Sequence, residues 1–448
     1  MAVARVLLED RYHPETGALT LRHWRGSWMR WDGPAWSEQE ERTVRAEVYH
    51  HVEHAYYWAK AKDDEWAKKE WAPNRHKMSD LLEAAAAQCH LPQGTQPPSW
   101  LNSAGGSTTV VACANGLLDV TTRTLGPHSP EYFNEIAVPF DFEPDCLDPT
   151  GWLEFLDELW PDDPESVQLL QQWFGYVLSG QTSLQKILGI IGPIRSGKGT
   201  ICRVLKGLVG DRNVTAPTLS SFGQNFGLQD LIGKPVAIIG DVRLGGGEQH
   251  AVVERLLSIS GEDTITLDRK YRDPWTGQLP TRIMFVSNEL PRFGDASGAI
   301  ATRCLVLETR RSWLGEEDTE LTARLLRELP GILNWALDGL ELLHKQGRFT
   351  EPQSSVETLT ALADLVSPTS AFVRDCCLRG QLLEVQCSEL YRAWKLWAED
   401  NGQRAGSAQT FGRNLRAVIP GLRVSRPRIG PDDSQIRVYS GIALKDWT

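Results

Sequence analysis

The 448-residue chain has no uninterrupted apolar run of the roughly 18 residues that a membrane-crossing helix needs, and Met1 to Arg11 lacks the apolar stretch of a signal peptide. No membrane partner is expected, and the location read from this is cytoplasmic. The eight cysteines include no Cys-x-x-Cys and no repeated spacing, so neither a zinc ribbon nor a disulfide scaffold is indicated. Adjacent Cys376 and Cys377 read as helix positions. Positive charge is missing from a whole segment, with no Lys or Arg between Thr124 and Gln185. The net charge of -11 argues against a general nucleic-acid coat, yet the tail from Ser367 to Thr448 carries 12 basic residues against 8 acidic ones, a local net of +4. Near the N-terminus no Asp-x-Asp or Asp-x-Glu pair sits in a strand setting, which leaves two-metal nucleotide polymerisation without a home.

What is present centres on Leu188-Gly-Ile-Ile-Gly-Pro-Ile-Arg-Ser-Gly-Lys-Gly-Thr200, an apolar run that ends in a glycine-rich turn and reads on into Ile201-Cys-Arg-Val-Leu205. This is the strand, phosphate loop and helix order of an NTP site. Gly192, Pro193, Ile194, Arg195, Ser196 and Gly197 wrap the phosphates with backbone N–H groups, and Lys198 reaches the β and γ oxygens. Gly199 stands where Ser or Thr is usual, so Thr200 is the nearest hydroxyl for Mg²⁺, directly or through a water. Val236-Ala-Ile-Ile-Gly-Asp241 is a buried strand ending in a carboxylate, and Asp241 is the expected Mg²⁺ residue, with Arg243 and Glu248 as neighbours. Thr264-Ile-Thr-Leu-Asp-Arg-Lys-Tyr-Arg272 reads as a hairpin bearing basic and aromatic side chains. Thr281-Arg-Ile-Met-Phe-Val-Ser-Asn288 is a further strand whose terminal amide, Asn288, can hold the attacking water or sense the γ-phosphate. Arg303 stands just ahead of Cys304-Leu-Val-Leu-Glu308, where a guanidinium could cross a subunit boundary or serve as an ordinary salt-bridge residue.

Before this core, residues 17–34 predict two short strands, and Trp24, Trp28, Trp31 and Trp36 are expected to pack that sheet on the helices that follow rather than to stack on bases. Glu38 to Ala87 reads as helical, broken at Pro73, with Lys60, Lys62, Lys68, Lys69, Arg75 and Lys77 on a solvated helix surface. Pro92 to Ser107 is expected as a loop, Val110 to Asp119 as a strand closing in an Asn-Gly turn, and 152–160 and 167–178 as amphipathic helices. Beyond Ser367-Pro-Thr-Ser370, three helices and a two-stranded hairpin describe a winged helix. Arg413 and Arg416 on its third helix and Arg426 and Arg428 near the wing tip would face duplex DNA, although such domains also bind proteins. The expected division is 1–150, an α+β region; 151–350, a P-loop ATPase core with its leading helices; and 351–448, the winged helix.

Gly192 to Thr200, Asp241 closing its strand, Gly261-Glu-Asp-Thr-Ile-Thr-Leu-Asp-Arg-Lys-Tyr271 and Phe285-Val-Ser-Asn-Glu-Leu-Pro-Arg-Phe293 followed by Arg303 together resemble the successive motifs of superfamily 3 helicases. The resemblance is to the phage and plasmid primase-helicase family, related to poxvirus D5-type proteins. It implies an α/β fold with an AAA+-like core and an ATP- and Mg²⁺-dependent helicase on single-stranded DNA. Lys198 would be the phosphate-loop lysine, Asp241 the Walker B acid, Asn288 the sensor and Arg303 the arginine finger, with Arg269 and Lys270 gripping DNA in the channel of a homo-hexamer. The general base has no clear position, Glu248 and Glu262 being the candidates. A primase domain is not expected, so a separate primase would be a partner. The competing readings are a nucleotide-regulated DNA-binding or initiator module without processive unwinding and, from the Gly-Lys-Gly-Thr form of the loop, a small-molecule kinase.

Overall fold

The computed structural model describes residues 2–60, 65–95, 97–102, 110–240, 249–270, 272–291, 293, 299–427 and 435–445. Helix α1 (Ala2–Glu9) leads into an antiparallel sheet of β1 (Leu21–Trp24), β2 (Ser27–Trp31) and β3 (Trp36–Gln39). Trp24, Trp28 and Trp36 are buried, and Trp24 and Trp36 meet the Phe133 ring edge-on at 5.1 and 5.6 Å. Trp28 packs on the helices, as expected, whereas Trp24 and Trp36 form a second small core with Met29, Leu91 and Phe133. Helix α2 (Glu41–Val52) buries Val44, Val48 and Val52, one side of a 3.6-residue period, while α3 (Arg75–Gln88) buries Met78, Leu81, Leu82 and Ala85 against the same cluster.

Between these helices the expectation of a continuous helical segment is wrong. Strands β4 (Tyr56–Lys60) and β5 (Trp66–Glu70) pair antiparallel, with Tyr56 opposite Glu70, Trp58 opposite Lys68 and Lys60 opposite Trp66. Ala, Lys and Glu favour a helix here, but Tyr56, Trp58 and Trp66 share one face of the pleat at period two, and wide rings suit a ribbon. The expected loop after Pro92 also contains a strand, β6 (Ser99–Trp100), paired with β10 (Tyr132–Phe133). Inside that pairing, β7 (Val110–Cys113), β8 (Gly116–Asp119) and β9 (Thr124–Gly126) form a meander whose first turn holds Asn115.

Helices α4 (Thr150–Leu159) and α5 (Pro164–Leu178) follow. For α5 the start is local: Pro164 takes the first helical position and the Asp163 carboxylate accepts the Ser166 N–H at 3.2 Å. For α4 the cap comes from far along the chain, where Glu328 accepts the N–H groups of Gly151 and Trp152 at 3.1 and 2.9 Å. The central parallel sheet comprises β11 (Ile187–Ile191), β12 (Val214–Thr215), β13 (Val236–Gly240), β16 (Arg282–Ser287) and β17 (Cys304–Glu308), in the order β12-β13-β16-β11-β17. The intervening elements are α6 (Lys198–Val209), α7 (Gln249–Ser260), the hairpin β14 (Ile265–Arg269) and β15 (Arg272–Gly277), and α8 (Ala299–Arg303).

Every residue of β11 is buried, as a parallel strand covered on both faces requires. One face, with Leu188, Ile190, Met284 and Leu307, packs with α4, α5 and α10 (Leu329–Gln346), and the other, with Ile187, Ile239, Phe285 and Val306, packs with α7 and α11 (Val356–Val366). Helix α9 (Leu321–Leu325) lies just before α10, so residues 319–330 are not one helix.

The C-terminal part runs α12 (Pro368–Cys376), β18 (Cys377–Gln386), α13 (Cys387–Asp400), α14 (Ala408–Val418), β19 (Arg423–Ser425) and β20 (Val438–Leu444). Its sheet is three-stranded, β18-β20-β19, rather than the expected two-stranded hairpin, because Cys377 ends the helix and starts β18. Phe372, Trp394, Phe411 and Ile442 fill its separate core.

One buried charge joins α5 to the central sheet. Arg282, 2% exposed at the start of β16, donates to the carbonyls of Val177, Gly180 and Pro280 at 2.7, 3.0 and 2.8 Å, the first two at the end of α5. Burial pushes its pKa down to about 10, so it stays charged near neutrality and binds acceptors that the helix terminus leaves open. Arg282→Met should lower the urea stability of the core by about 3 kcal/mol, since it removes charged donors and leaves buried carbonyls unpaired. An unfolding midpoint equal to that of the wild type would refute this role.

Candidate active site

The turn between β11 and α6 is clamped at both ends. Gly192 N–H donates to Ser287 O of β16 at 3.2 Å, and Thr309 N–H, just after β17, donates to Ile191 O at 2.8 Å. A Cβ on Gly192 would lie 2.1 Å from Thr309 Oγ1, so only glycine permits this approach. Gly197 has φ 82°, the left-handed conformation that swings the chain into α6, and a Cβ there would meet Leu159 and Phe155 of α4 at about 3 Å. Ser196 is buried and its Oγ lies 2.7 Å from Thr309 Oγ1. Pro193 to Ser196 therefore arch over a fixed base, with Ile194 and Arg195 exposed at the tip and Arg195 at φ 56°.

Lys198 is buried and folds back into this arch, donating to Gly192 O, Pro193 O and Ser196 Oγ at 2.8, 2.5 and 3.1 Å. Desolvation lowers its pKa, because those partners are polar but uncharged. An anion in the arch would restore the missing Coulombic stabilisation, and the N-terminus of α6 points positive potential at the same place. Thr200 is also buried, and its Oγ1 accepts from Arg203 Nη2 at 3.2 Å. Gly199 leaves room for this contact, since a Cβ there would be 3.3 Å from Arg203 Nη1.

The arch opens on a cavity of 690 Å³ lined by residues 194–200, Arg203 and Asn288, by Gly151, Glu154, Phe155 and Glu158 of α4, and by the 313–328 segment. That segment is fastened to the loop: Trp313 N–H donates to Arg195 O at 2.9 Å, Ser312 Oγ to Ile194 O at 2.7 Å, and Arg195 Nε lies 3.3 Å from Glu317. Arg203 Nε donates to Thr322 Oγ1 at 3.1 Å, and Arg324 pairs with Asp318 at 2.5 Å. Arg195 and Arg324 are thus held by rim acids in exposed pairs, which an incoming anion can displace at small cost, and Arg203 is held by hydroxyls alone. Arg203, Thr309 and the 313–328 wall were missed in the sequence. Arg203 had a signal, lying one helical turn from Gly199, whereas Thr309 and the wall reach the loop only through the fold.

The expected site residues fall into groups. Lys198, Thr200 and Asn288 meet at this cavity, Asn288 standing exposed one residue beyond β16. Because β16 lies between β11 and β13, Asn288 is placed between the loop and the end of β13 at Gly240. Asp241, Arg243 and Glu248 lie outside the described residues. Glu262 accepts from Thr182 Oγ1 near the end of α7 and does not line this cavity. Arg303 is at the opposite edge of the sheet, since the next residue, Cys304, pairs with Ile187 at the amino end of β11. Its Nη1 donates to Leu257 O and Ser260 Oγ, both at 2.9 Å, tying off the end of α7.

Arg269 ends strand β14 and Lys270 follows it in the turn, and Arg269 lines a separate 620 Å³ cavity with Trp24, Arg25, Arg212, Lys234 and Trp275. Arg413 and Arg416 are exposed one turn apart on α14, and Arg426 is exposed beyond β19, while Arg428 lies outside the described residues. Among the described residues, no helix is long and apolar enough to cross a membrane.

Residues 6–161 match the family described as D5 N terminal like, and residues 190–304 match a family of unknown function (DUF5906). Structures of the NrS-1 C-terminal region superpose over nearly the whole chain. Its A-form apo structure has a TM-score of 0.52 at 12% identity and another apo structure 0.54 at 13%, each comparison covering 98% of both chains. At that identity the likeness speaks for the fold alone. The chain thus carries a D5 N-terminal-like domain leading into a parallel α/β sheet, and its overall fold is that of the NrS-1 C-terminal region.

Proposed function

We propose that this protein is an ATP-driven motor on single-stranded DNA, with its nucleotide site at the loop between β11 and α6. The observation that carries the reading is Lys198, a buried cation coordinated only by uncharged oxygens inside a loop whose glycines cannot be replaced. The triphosphate would take the place of Gly192 O, Pro193 O and Ser196 Oγ as the lysine's partners, and the base and sugar would occupy the cavity against Phe155 and Trp313. Mg²⁺ would enter with the nucleotide, held by Thr200 Oγ1 and, through water, by the acid expected at Asp241. That sparse protein ligation suits an ion that keeps several waters. Among the described residues no cluster of three His, Cys, Asp or Glu offers a fuller cage. Asn288 would orient the attacking water from the end of the neighbouring strand. The D5 N-terminal-like match supports a role in the replication of a phage, plasmid or integrated element. ATP turnover with and without single-stranded DNA, measured alongside native mass, tests the whole reading. Lys198→Ala should lose turnover at least 100-fold with its melting midpoint kept, and near-normal turnover in the folded variant would remove the ATPase assignment.

Arg303 bears on assembly. It sits a full sheet height from Lys198 of the same chain, so it can complete a catalytic centre only on a second copy, as expected of a homo-hexamer. It must first leave Leu257 O and Ser260 Oγ, and that tie favours the second reading, a nucleotide-regulated DNA-binding module without processive unwinding. Arg303→Ala should bind ATP yet hydrolyse it about 10³-fold or more slowly, and mixing it with Lys198→Ala should restore part of the activity, because some interfaces then join an intact loop to an intact finger. Turnover that follows a strictly additive line at every mixing ratio, in rings shown by native mass to be mixed, would leave Arg303 as the α7 cap alone.

We further infer that the three helices and three-stranded sheet after Ser367 form a winged helix that meets duplex DNA through Arg413, Arg416 and Arg426, with Arg428 as a further candidate. Replacing Arg413 and Arg416 with Ala should weaken duplex binding and reduce the slope of log K against log salt by about 0.9 for each phosphate that is no longer neutralised. An unchanged slope would turn this surface over to a protein partner.

A further inference from the structure

The β4–β5 ribbon exposes what the rest of the N-terminal region buries. Tyr56, Trp58 and Trp66 are 55%, 66% and 64% exposed, whereas Trp24, Trp28 and Trp36 nearby are under 10%. Register puts these three of the ribbon's four exposed rings on one face, Tyr57 lying on the other, because directly opposed residues of an antiparallel pair share a side. That face holds the rows Tyr56 and Glu70, Trp58 and Lys68, and Lys60 and Trp66. Each row sets a ring beside a charge, and two of the three charges are cations. Lys68 Nζ lies 4.2 Å from the centre of the Tyr56 ring, a cation–π contact that covers the ring when nothing else does. Lys69 adds a third cation on the reverse side, opposite Tyr57.

The ribbon is held at its base and projects from there. Trp71 N–H donates to Ala55 O at 2.8 Å, and Lys77 of α3 binds the carbonyls of Trp71 and Ala72. Trp71 and Ala55 also pack on the core formed by α1, α2 and α3. Above that anchor, among the described residues, only Ala59 and Ala67 are even half-buried. The ribbon leaves the α2–α3 pair at the C-terminal end of α2. A second cavity lined by Arg269, distinct from the one it shares with Trp275, is bordered instead by Glu41 and Arg45 near the start of α2 and by Leu82, Glu83 and Ala86 late in α3. A 12-residue helix, about 18 Å, separates the two places.

We propose that the β4–β5 ribbon is a second binding element for single-stranded nucleic acid, with bases stacking on Tyr56, Trp58 and Trp66 and phosphates meeting Lys60 and Lys68. Three features select this occupant. Rings two residues apart on a strand are about 6.6 Å apart, close to the step of one nucleotide in an extended strand. Lysines are interleaved with the rings, so each stacking surface has a cation beside it for the adjoining phosphate. The described acids of the segment, Glu65 and Glu70, stand at its two ends rather than between the rings. Duplex DNA, whose bases are already stacked, would gain little here. A lone two-stranded ribbon is marginal in water, so a strand laid along it would also steady the ribbon.

The test uses the full chain. Binding of a fluorescent 20-nucleotide oligothymidylate and of a blunt duplex of equal length is measured by anisotropy without nucleotide, for wild type and for Tyr56→Ser/Trp58→Ser/Trp66→Ser. The expected result is at least a tenfold weakening for the single strand with less than a twofold change for the duplex, and an unchanged melting midpoint, because these side chains bury no core. Lys60→Gln/Lys68→Gln should also weaken single-strand binding and flatten its salt dependence. Unchanged oligothymidylate affinity in the aromatic variant overturns the proposal. If that variant also loses oligomer mass on native measurement, the ribbon is a contact between copies of the chain. Binding is read without ATP and hydrolysis can be read without DNA, so failure here is separable from failure of the motor reading.

Discussion

The rest of the site depends on one close approach, the backbone of Gly192 against Thr309. Their separation leaves no room for a side chain, and it holds the start of the loop to the strand end at β17 while Ser287 holds it to β16. With both flanks fixed, the arch from Pro193 to Gly197 has little freedom left, and the left-handed turn at Gly197 delivers Lys198 beneath it. Parallel strands make this possible, because their carboxyl ends collect at one edge. The same rule places Asn288 beside the loop.

Two buried cations show how differently the protein treats charge. Arg282 spreads its guanidinium over three carbonyls, two of them at the open end of a helix, so its partners belong to two different elements of the fold. Lys198 is a point charge with three rotatable donors, and its partners are atoms of the very loop that would surround a phosphate. The arginine welds α5 to the sheet. The lysine is held in a pose that an anion can improve, which is the difference between a structural and a functional buried charge.

Legibility in the sequence followed the range of the interactions. Strands β11, β13, β16 and β17 were readable because burial on both faces demands unbroken apolar runs, and the loop was readable because its glycines and lysine lie within nine residues. Helix α5 starts at Pro164, three residues before the expected 167, although Asp163 and Pro164 are a local start signal, whereas α4 borrows its cap from Glu328, which no local pattern can reveal. The β4–β5 ribbon was hidden for another reason: Ala, Lys and Glu supply helical propensity on both strands and mask the alternation of Tyr56 and Trp58. Strand β18 was hidden because Cys377-Leu-Arg-Gly-Gln-Leu-Leu-Glu-Val-Gln386 alternates poorly, with Leu378 and Leu382 exposed. For Arg303 the sequence showed a position ahead of a strand, but not that its guanidinium closes α7.

That last tie also shows which way Arg303 faces. The same sheet that gathers the loop and Asn288 at its carboxyl edge puts Arg303 at its amino edge, so the loop and Arg303 of one chain face apart. While Arg303 binds Leu257 O and Ser260 Oγ, it stabilises the end of α7, the helix that leads into the β14–β15 hairpin and its Arg269 and Lys270. Leu257 O also accepts the Gly261 N–H at 2.8 Å, so the arginine adds a second donor to a helix end that the following turn already closes.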